Sequence, residues 1–417
     1  MRKSPKPNER RRKWVTAALV TGSIAACGVA ARGNRPLKSY PSDSGGDASA
    51  LESGSVTVTG SGGIGDDGAM DVGSSLDGGV ASSSDFDGTG TSAVDANLNP
   101  GDSQAVAVPC PSPTLDAGDY TRTLDLDGGS RTYDLHVPPG LVQSKPAPLV
   151  LAFHGGGQSA TAFEGFVHLQ AKSDSSGFIL VEPEGTPALP GSSPGSLDVW
   201  NAGNCCELAA QVNDNVDDVG FVEAMLDSLA SEICIDPKRV FATGFSNGGM
   251  LSHRLACQLS DRIAAIAAVS GGMGNRNLDV TPVQTLFPCA PGRPVPVLHI
   301  HGTQDACYPF DGGYVPLSAI TAEPVMVTVG DWAMRNGCSA SSPTTVLTAG
   351  VATCVAYPCP AAGDVRLCTI DGGGHYWPGG DDWTGSQVVC GINQGARSMD
   401  LIANDALWDW FVHHPMP

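Results

Sequence analysis

The stretch "RVFATGFSNGGMLSHRLAC", residues 239–257, runs from an apolar strand-like segment through one serine between glycines into a helix-like segment. Gly244 and Gly248 flank Ser246 at the spacing that lets a sharp strand-to-helix turn pass close to its neighbours with the hydroxyl projecting. The N-terminus of the helix that follows favours negative charge at that spot. A serine hydroxyl is a weak nucleophile near neutral pH. It needs a base, an acid to orient the base, and donors for the oxyanion it creates. A glycine-flanked serine in a Gly-rich chain can also be chance, so the reading of Ser246 depends on finding those other parts.

Three further stretches supply candidates. "HGGGQS" (154–159) directly follows the strand-like "LVLAF" and offers the backbone N–H groups of Gly155, Gly156 and Gly157, to be joined by that of Asn247. His154 there shapes the loop rather than acting as a base. "HGTQDACYP" (301–309) sets Asp305 just past a strand, and "IDGGGHYWPGG" (370–380) sets His375 in a loop past the last one. The order Ser246, Asp305, His375 is that of α/β-hydrolases and differs from the orders in chymotrypsin and subtilisin. Asp311 and Asp371 are fallback acids, farther from their strand ends. His299 and His301 alternate on one strand and can share a face, as a metal pair or as structural histidines. No third ligand stands at suitable spacing, so the structural reading is preferred. His413 and His414 read as solvated tail residues. Cys205/Cys206 and Cys354/Cys359 lack zinc-knuckle spacing, and no metal is expected.

Around this constellation the chain of 417 residues is uneven, with 53 Gly, 31 Pro and a formal net charge of -20. Residues 1–27 carry a basic head and the short apolar run "WVTAALVTGSIAA", the pattern of an export signal. Its end, "IAAC", resembles a bacterial lipobox, which would lipidate Cys27; ordinary cleavage near Ala30 is the alternative. Residues 28–109 are Gly, Ser, Asp and Ala with almost no aromatic residue, too little apolar surface to offset the entropy of ordering, and read as a disordered acidic tether. A calcium-binding repeat would need regular Asp spacing, which is missing. With Cys27 set aside, twelve of the 13 cysteines remain, an even number suited to several disulfides in an oxidising compartment.

Residues 110–417 form the candidate catalytic domain. "YTRTLDLDGGSRTYDLHVP" (120–138) reads as a hairpin. Short apolar runs at 148–153, 178–183, 239–244, 263–269, 295–301 and 365–370 suit buried parallel strands, and 217–234 reads as a helix with an Asp-rich start. The alternation predicts an α/β fold: a mostly parallel central sheet with helices on both faces, stapled by disulfides. Ligands in such folds sit beyond the carboxyl ends of strands, where Ser246, Asp305 and His375 all fall. The acidic balance argues against a nucleic-acid partner.

Taken in order, "GFSNGGM", "HGTQD", "GGGHYWPGG", "WNAGNCC" (200–206) and "VDDVGF" (216–221) resemble the secreted α/β-hydrolase esterase family of feruloyl esterases, poly(3-hydroxybutyrate) depolymerases and LpqC-type lipoproteins. The resemblance covers nearly all of the chain after Cys110. It implies Ser246 as nucleophile, Asp305 as acid, His375 as base, an oxyanion loop at Gly155–Gly157 with Asn247, no cofactor, and a monomer acting on an ester, polymeric in kind. It also implies a disulfide from before the elbow strand to the helix after it, here Cys234 with Cys257. At Cys307 the sequence departs from the pattern, where relatives have an apolar residue. Trp200 and Trp377 can offer a flat surface to a feruloyl ring or polyester chain, or be core aromatics. The competing functional readings are a polyester depolymerase, a hydroxycinnamoyl or acetyl esterase on plant polysaccharide, and a non-catalytic surface binding protein on the same fold.

Overall fold

The two-residue turn Asp127-Gly128 joins strands β1 (Gly118–Leu126) and β2 (Gly129–Val137), with Leu126 paired to Gly129. The residue that takes a positive φ here is Gly129, at 117°, where β2 begins, a conformation glycine adopts without a Cβ penalty. The computed structural model describes residues 110–417 except 113, 143, 189–192, 196, 204–215, 274–286, 316–319, 340–341, 361 and 384–394. Residues 1–109, read from sequence as export signal with Cys27 and tether, lie outside the described residues, as do Cys205, Cys206 and Cys390.

The hairpin edges a ten-stranded sheet. Its further strands are β3 (Ala147–Phe153), β4 (Ile179–Pro183), β7 (Ile235–Phe245), β8 (Ala265–Val269), β9 (Val297–Gly302), β12 (Thr344–Ala349), β13 (Ala352–Ala356) and β14 (Val365–Ile370), in the order β1-β2-β4-β3-β7-β8-β9-β14-β13-β12. The six strands from β4 to β14 pair in parallel, and the two hairpins flank them antiparallel. Two short ribbons, β5 (Thr186–Pro187) with β6 (Asp198–Val199) and β10 (Gly313–Val315) with β11 (Ile320–Ala322), lie apart from it.

Helices cover both faces, as strand–helix alternation requires. Leu149, Leu151 and Phe153 of β3 point into one core with Phe221, Met225 and Leu229 of α3 (Asp218–Glu232), Leu251 and Leu255 of α4 (Asn247–Gln258), and Val329 and Trp332 of α5 (Val325–Arg335). The alternate residues Val150 and Ala152 point into the other, with Phe163 and Phe166 of α1 (Ala160–Val167) and Leu407, Trp410 and Phe411 of α6 (Ala403–His413). α2 (Leu169–Ser176) precedes β4. Asp217 caps α3 by accepting a hydrogen bond from the Gly220 N–H at 2.9 Å, which explains the Asp-rich start. His414 departs from the expectation of a solvated tail: its ring lies 3.9 Å from that of Trp410 and its Nε2 2.9 Å from Asp364.

Four disulfides are present among the described residues: Cys110–Cys234, Cys257–Cys289, Cys338–Cys359 and Cys354–Cys368. The expected Cys234–Cys257 pair is thereby corrected. Cys234 ends the segment before β7 and meets the chain entering β1, with Cα atoms 4.7 Å apart, while Cys257 on α4 meets Cys289 at 4.6 Å. Cys307, the departure from the family pattern, is also disulfide-bonded. Cross-links stabilise chiefly by restricting the unfolded chain, so loop length ranks them. Cys110–Cys234 spans 124 residues and Cys354–Cys368 spans 14. The double alanine variant of the first pair should lose about 5 kcal/mol and that of the second about 3 kcal/mol, read from urea midpoints. Equal losses would contradict that ranking.

Candidate active site

Ser246 sits between β7 and α4 at φ 53, ψ -118, a strained conformation for a residue with a side chain. The surroundings over-determine it. A Cβ on Gly244 would lie 2.5 Å from the Gly248 carbonyl carbon and 2.9 Å from the Phe153 oxygen, and Cβ atoms on Gly248 or Gly271 would collide with the Phe153 and Ser246 oxygens. Ser246 N–H donates to the Val269 carbonyl at 2.9 Å, and the side chain makes no capping bond to its own helix. The half-buried hydroxyl is thus presented at the carboxyl end of the sheet.

The donor loop is held from within. Gly155 N–H donates to Gln158 Oε1 at 2.9 Å and Gly157 N–H to the Asp198 carbonyl at 2.7 Å. Of the three glycine amides expected as oxyanion donors, Gly155 and Gly157 are already engaged, and the Gly156 N–H alone has no partner among the described residues. His154 is wholly buried, with Nδ1–H donating to the Gly155 carbonyl at 2.8 Å and Nε2 accepting from Gly185 N–H at 3.0 Å. Burial pushes its pKa down to about 4, so it is a neutral strut, as the sequence suggested. The Asn247 side chain brackets Trp200, accepting from its N–H at 2.7 Å and donating to its carbonyl at 3.1 Å.

His375 and Asp305 meet as expected: His375 Nδ1 lies 2.7 Å from Asp305 Oδ2, both residues being buried. Oδ1 of Asp305 accepts from the Cys307 and Tyr308 N–H groups at 2.8 Å each. Burial alone would raise this carboxyl; the facing His375 and His301 imidazoles outweigh it and hold Asp305 below the ordinary carboxylate range. The fallback acids are both exposed, and Asp371 instead accepts from Thr303 Oγ1 at 3.2 Å. Phe245, the neighbour of Ser246 in the chain, packs its ring 4.6 Å from that of His375. His299 and His301 share a face with Nε2 to Nδ1 at 3.0 Å, and no group of three potential metal ligands exists among the described residues.

Trp200 and Trp377, offered from sequence as a substrate surface or as core aromatics, are core residues, each 1% exposed. Trp200 donates its indole N–H to the His154 carbonyl at 3.0 Å, and Trp377 donates to Asn404 Oδ1 at 2.8 Å while packing edge-on against Phe163. Buried indoles need such partners, and here the partners fix scaffold rather than face solvent. Sequence reading missed Trp383, which lies edge-on to Phe245 at 6.3 Å and is partly exposed. It also missed Gln158, although the quoted "HGGGQS" contained it.

Beneath the donor loop, Glu184 Oε2 accepts from Ala160 N–H at 3.1 Å and Oε1 lies 3.7 Å from His154 Nε2. Burial, with Asp198 and Asp134 adding repulsion, raises its pKa from 4.5 to about 7. The folded state therefore keeps a proton that the unfolded chain releases, a contribution fully present below pH 4.5 and lost as pH rises toward 7. Glu184→Gln, which retains an acceptor for Ala160, should stabilise the protein at pH 8 by on the order of 2 kcal/mol and not at pH 4. Urea midpoints at the two pH values check this, and a gain independent of pH would refute it.

A strained serine elbow, a glycine donor loop and an imidazole–carboxylate pair at the carboxyl ends of a mostly parallel, doubly covered sheet define an α/β-hydrolase. Comparison with known proteins narrows the class. Residues 142–322 match the family described as phospholipase/carboxylesterase. The chain is 31% identical over 287 residues to the putative esterase NocK of Nocardia uniformis subsp. tsuyamanensis, a match covering 64% of this chain and 76% of that one. It is 33% identical over 245 residues to feruloyl esterase B of Piromyces equi, covering 57% and 41%. It is 32% identical over 208 residues to feruloyl esterase D of Neurospora crassa, covering 48% and 64%. The chain thus spans less than two thirds of either feruloyl esterase. It belongs to the carboxylesterase family of α/β-hydrolases, the carboxylic ester hydrolases.

Proposed function

We propose that the chain is an exported serine esterase that cleaves hydroxycinnamoyl esters linked to plant polysaccharide. The observation that carries the mechanism is the 2.7 Å contact from His375 Nδ1 to Asp305 Oδ2, which leaves Nε2 as the ring nitrogen for Ser246. His375 takes the Ser246 proton as Oγ attacks the ester carbonyl. The Gly156 and Asn247 N–H groups hold the tetrahedral oxyanion, the second reinforced by the α4 N-terminus. Collapse expels the alcohol, which leaves with the proton from His375. Water, activated by the same imidazole, then releases the acid and restores Ser246.

The substrate class rests on the relatives: two of those named above are feruloyl esterases. Trp383, partly exposed beside Phe245, is the aromatic surface in place of the buried Trp200 and Trp377. Export accords with the disulfides and the 1–27 pattern, with Cys27 as lipidation site and 28–109 as tether. The test measures product release from methyl ferulate, acetylated xylan and a poly(3-hydroxybutyrate) suspension, with fluorophosphonate labelling of Ser246 alongside. Ferulate release is expected. Hydroxybutyrate release alone would replace the substrate class by polyester, acetate alone would replace the acyl group, and absence of labelling would favour the non-catalytic binding protein.

A further inference from the structure

A line of buried side chains connects the helix that starts at Ser246 with the carboxylate that faces His375. Trp332 of α5 donates its indole N–H to His253 Nδ1 of α4 at 2.9 Å. His253 Nε2 faces His299 Nδ1 at 3.3 Å, and His299 Nε2 faces His301 Nδ1 at 3.0 Å, both rings of the second pair standing on β9. His301 Nε2 faces the Tyr308 carbonyl at 2.8 Å and Asp305 Oδ2 at 3.3 Å. Two of the rings have nearly parallel planes, 5° apart for His299 and His301.

The protons in this line are fixed from both ends. An indole only donates, so His253 Nδ1 accepts and its hydrogen sits on Nε2, facing His299 Nδ1. At the far end both neighbours of His301 Nε2 are acceptors, so that nitrogen carries hydrogen and Nδ1 accepts from His299. The two arguments give one assignment, Nε2–H on all three rings. Burial pushes His253 down to about 3 and His299 well below the ordinary imidazole value, so both are neutral. Aligned neutral imidazoles polarise one another in the same direction, toward Asp305.

We propose that His253, His299 and His301 are positioning residues, a relay of one tautomer whose last N–H is shared between the Tyr308 carbonyl and Asp305 Oδ2 and holds that oxygen against His375 Nδ1. The inference rests on the Ser246–His375–Asp305 reading. Oδ1 is fixed by two backbone N–H groups, whereas Oδ2 has the His375 ring and the relay as its side-chain partners. Without the relay the carboxylate is free to reorient about its fixed oxygen, and the base loses its aim.

The test is made on the full chain with p-nitrophenyl acetate. In His301→Gln the side-chain amide takes the place of Nε2 and restores the N–H to Asp305; in His301→Asn the amide takes the place of Nδ1 and leaves Asp305 unserved. Both variants are polar and smaller than histidine, so a purely structural role predicts similar losses. The relay predicts kcat within about threefold of the parent for Gln and a loss of about tenfold or more for Asn, with KM unchanged in both. Equal kcat in the two variants overturns it. Should either fail to fold, Trp332→Phe, which keeps an aromatic filler but removes the donor that sets the first tautomer, should lower kcat by about threefold, and a parental value overturns the relay. Ser246→Ala in the same assay separates the two levels. An active Ser246→Ala variant sinks the catalytic reading and the relay with it, whereas an inactive one beside parental relay variants sinks the relay alone.

Discussion

Ser246→Ala should lower kcat for ester hydrolysis by about six orders of magnitude, the scale on which loss of the nucleophile removes the whole nucleophile–base unit. The melting temperature should stay within about 2 °C of the parent, because the hydroxyl is half-buried, caps nothing and is exchanged for a side chain that meets the same backbone strain. The positive φ that makes Ser246 unusual belongs to the elbow and not to the hydroxyl, so alanine inherits it. Turnover measured beside a thermal melt distinguishes the cases. Loss of activity accompanied by a collapsed melt would place Ser246 in the scaffold, and retained turnover would remove it from the chemistry.

Gly248→Ala should abolish both stability and labelling. The added methyl would run into the carbonyl oxygens of Phe153 and His154, backbone atoms at the end of β3 and the start of the donor loop. No side chain can swing aside, so the elbow must withdraw from the loop or the strand must shift. A cost above about 3 kcal/mol follows from overpacking against fixed backbone, with soluble yield and urea midpoint as readouts. Whatever folded protein remains should react with fluorophosphonate at least about 100-fold more slowly, since moving the elbow away from Gly156 removes an oxyanion donor. A stable, fully reactive variant would show that this glycine spacing is incidental.

The parallel strands were legible because burial on both faces leaves a simple mark, an apolar run of six or seven residues. The hairpin β12–β13 left no such mark: Thr344 to Thr348 are all exposed, so neither alternation nor a continuous run distinguishes them from loop. The Asp-rich start of α3 and the order Ser246, Asp305, His375 were legible because each motif is local and its chemistry is fixed by residue type. Cysteine partnership was not, because it depends on which chain ends meet across the fold, and Cys110 reaches Cys234 only once β1 has been laid at the sheet edge. Nor could sequence decide Trp200 and Trp377, since an indole reads the same in a substrate cleft and in a core; the partners His154 and Asn404 decide it. The glycines 155–157 looked equivalent, yet Gln158 and Asp198 occupy two of their amides and single out Gly156.

The Cys110–Cys234 bridge also sets how the domain bears mechanical load. Tension applied through the chain N-terminal of residue 110 passes at Cys110 into a covalent bond and emerges at Cys234, one residue before β7, which lies between β3 and β8 in the interior of the sheet. The edge strand β1 stands outside that path and is not peeled from β2, as an unbridged terminal strand would be. A pull is resisted instead by β7, held on both sides by parallel neighbours and carrying the strained serine at its other end.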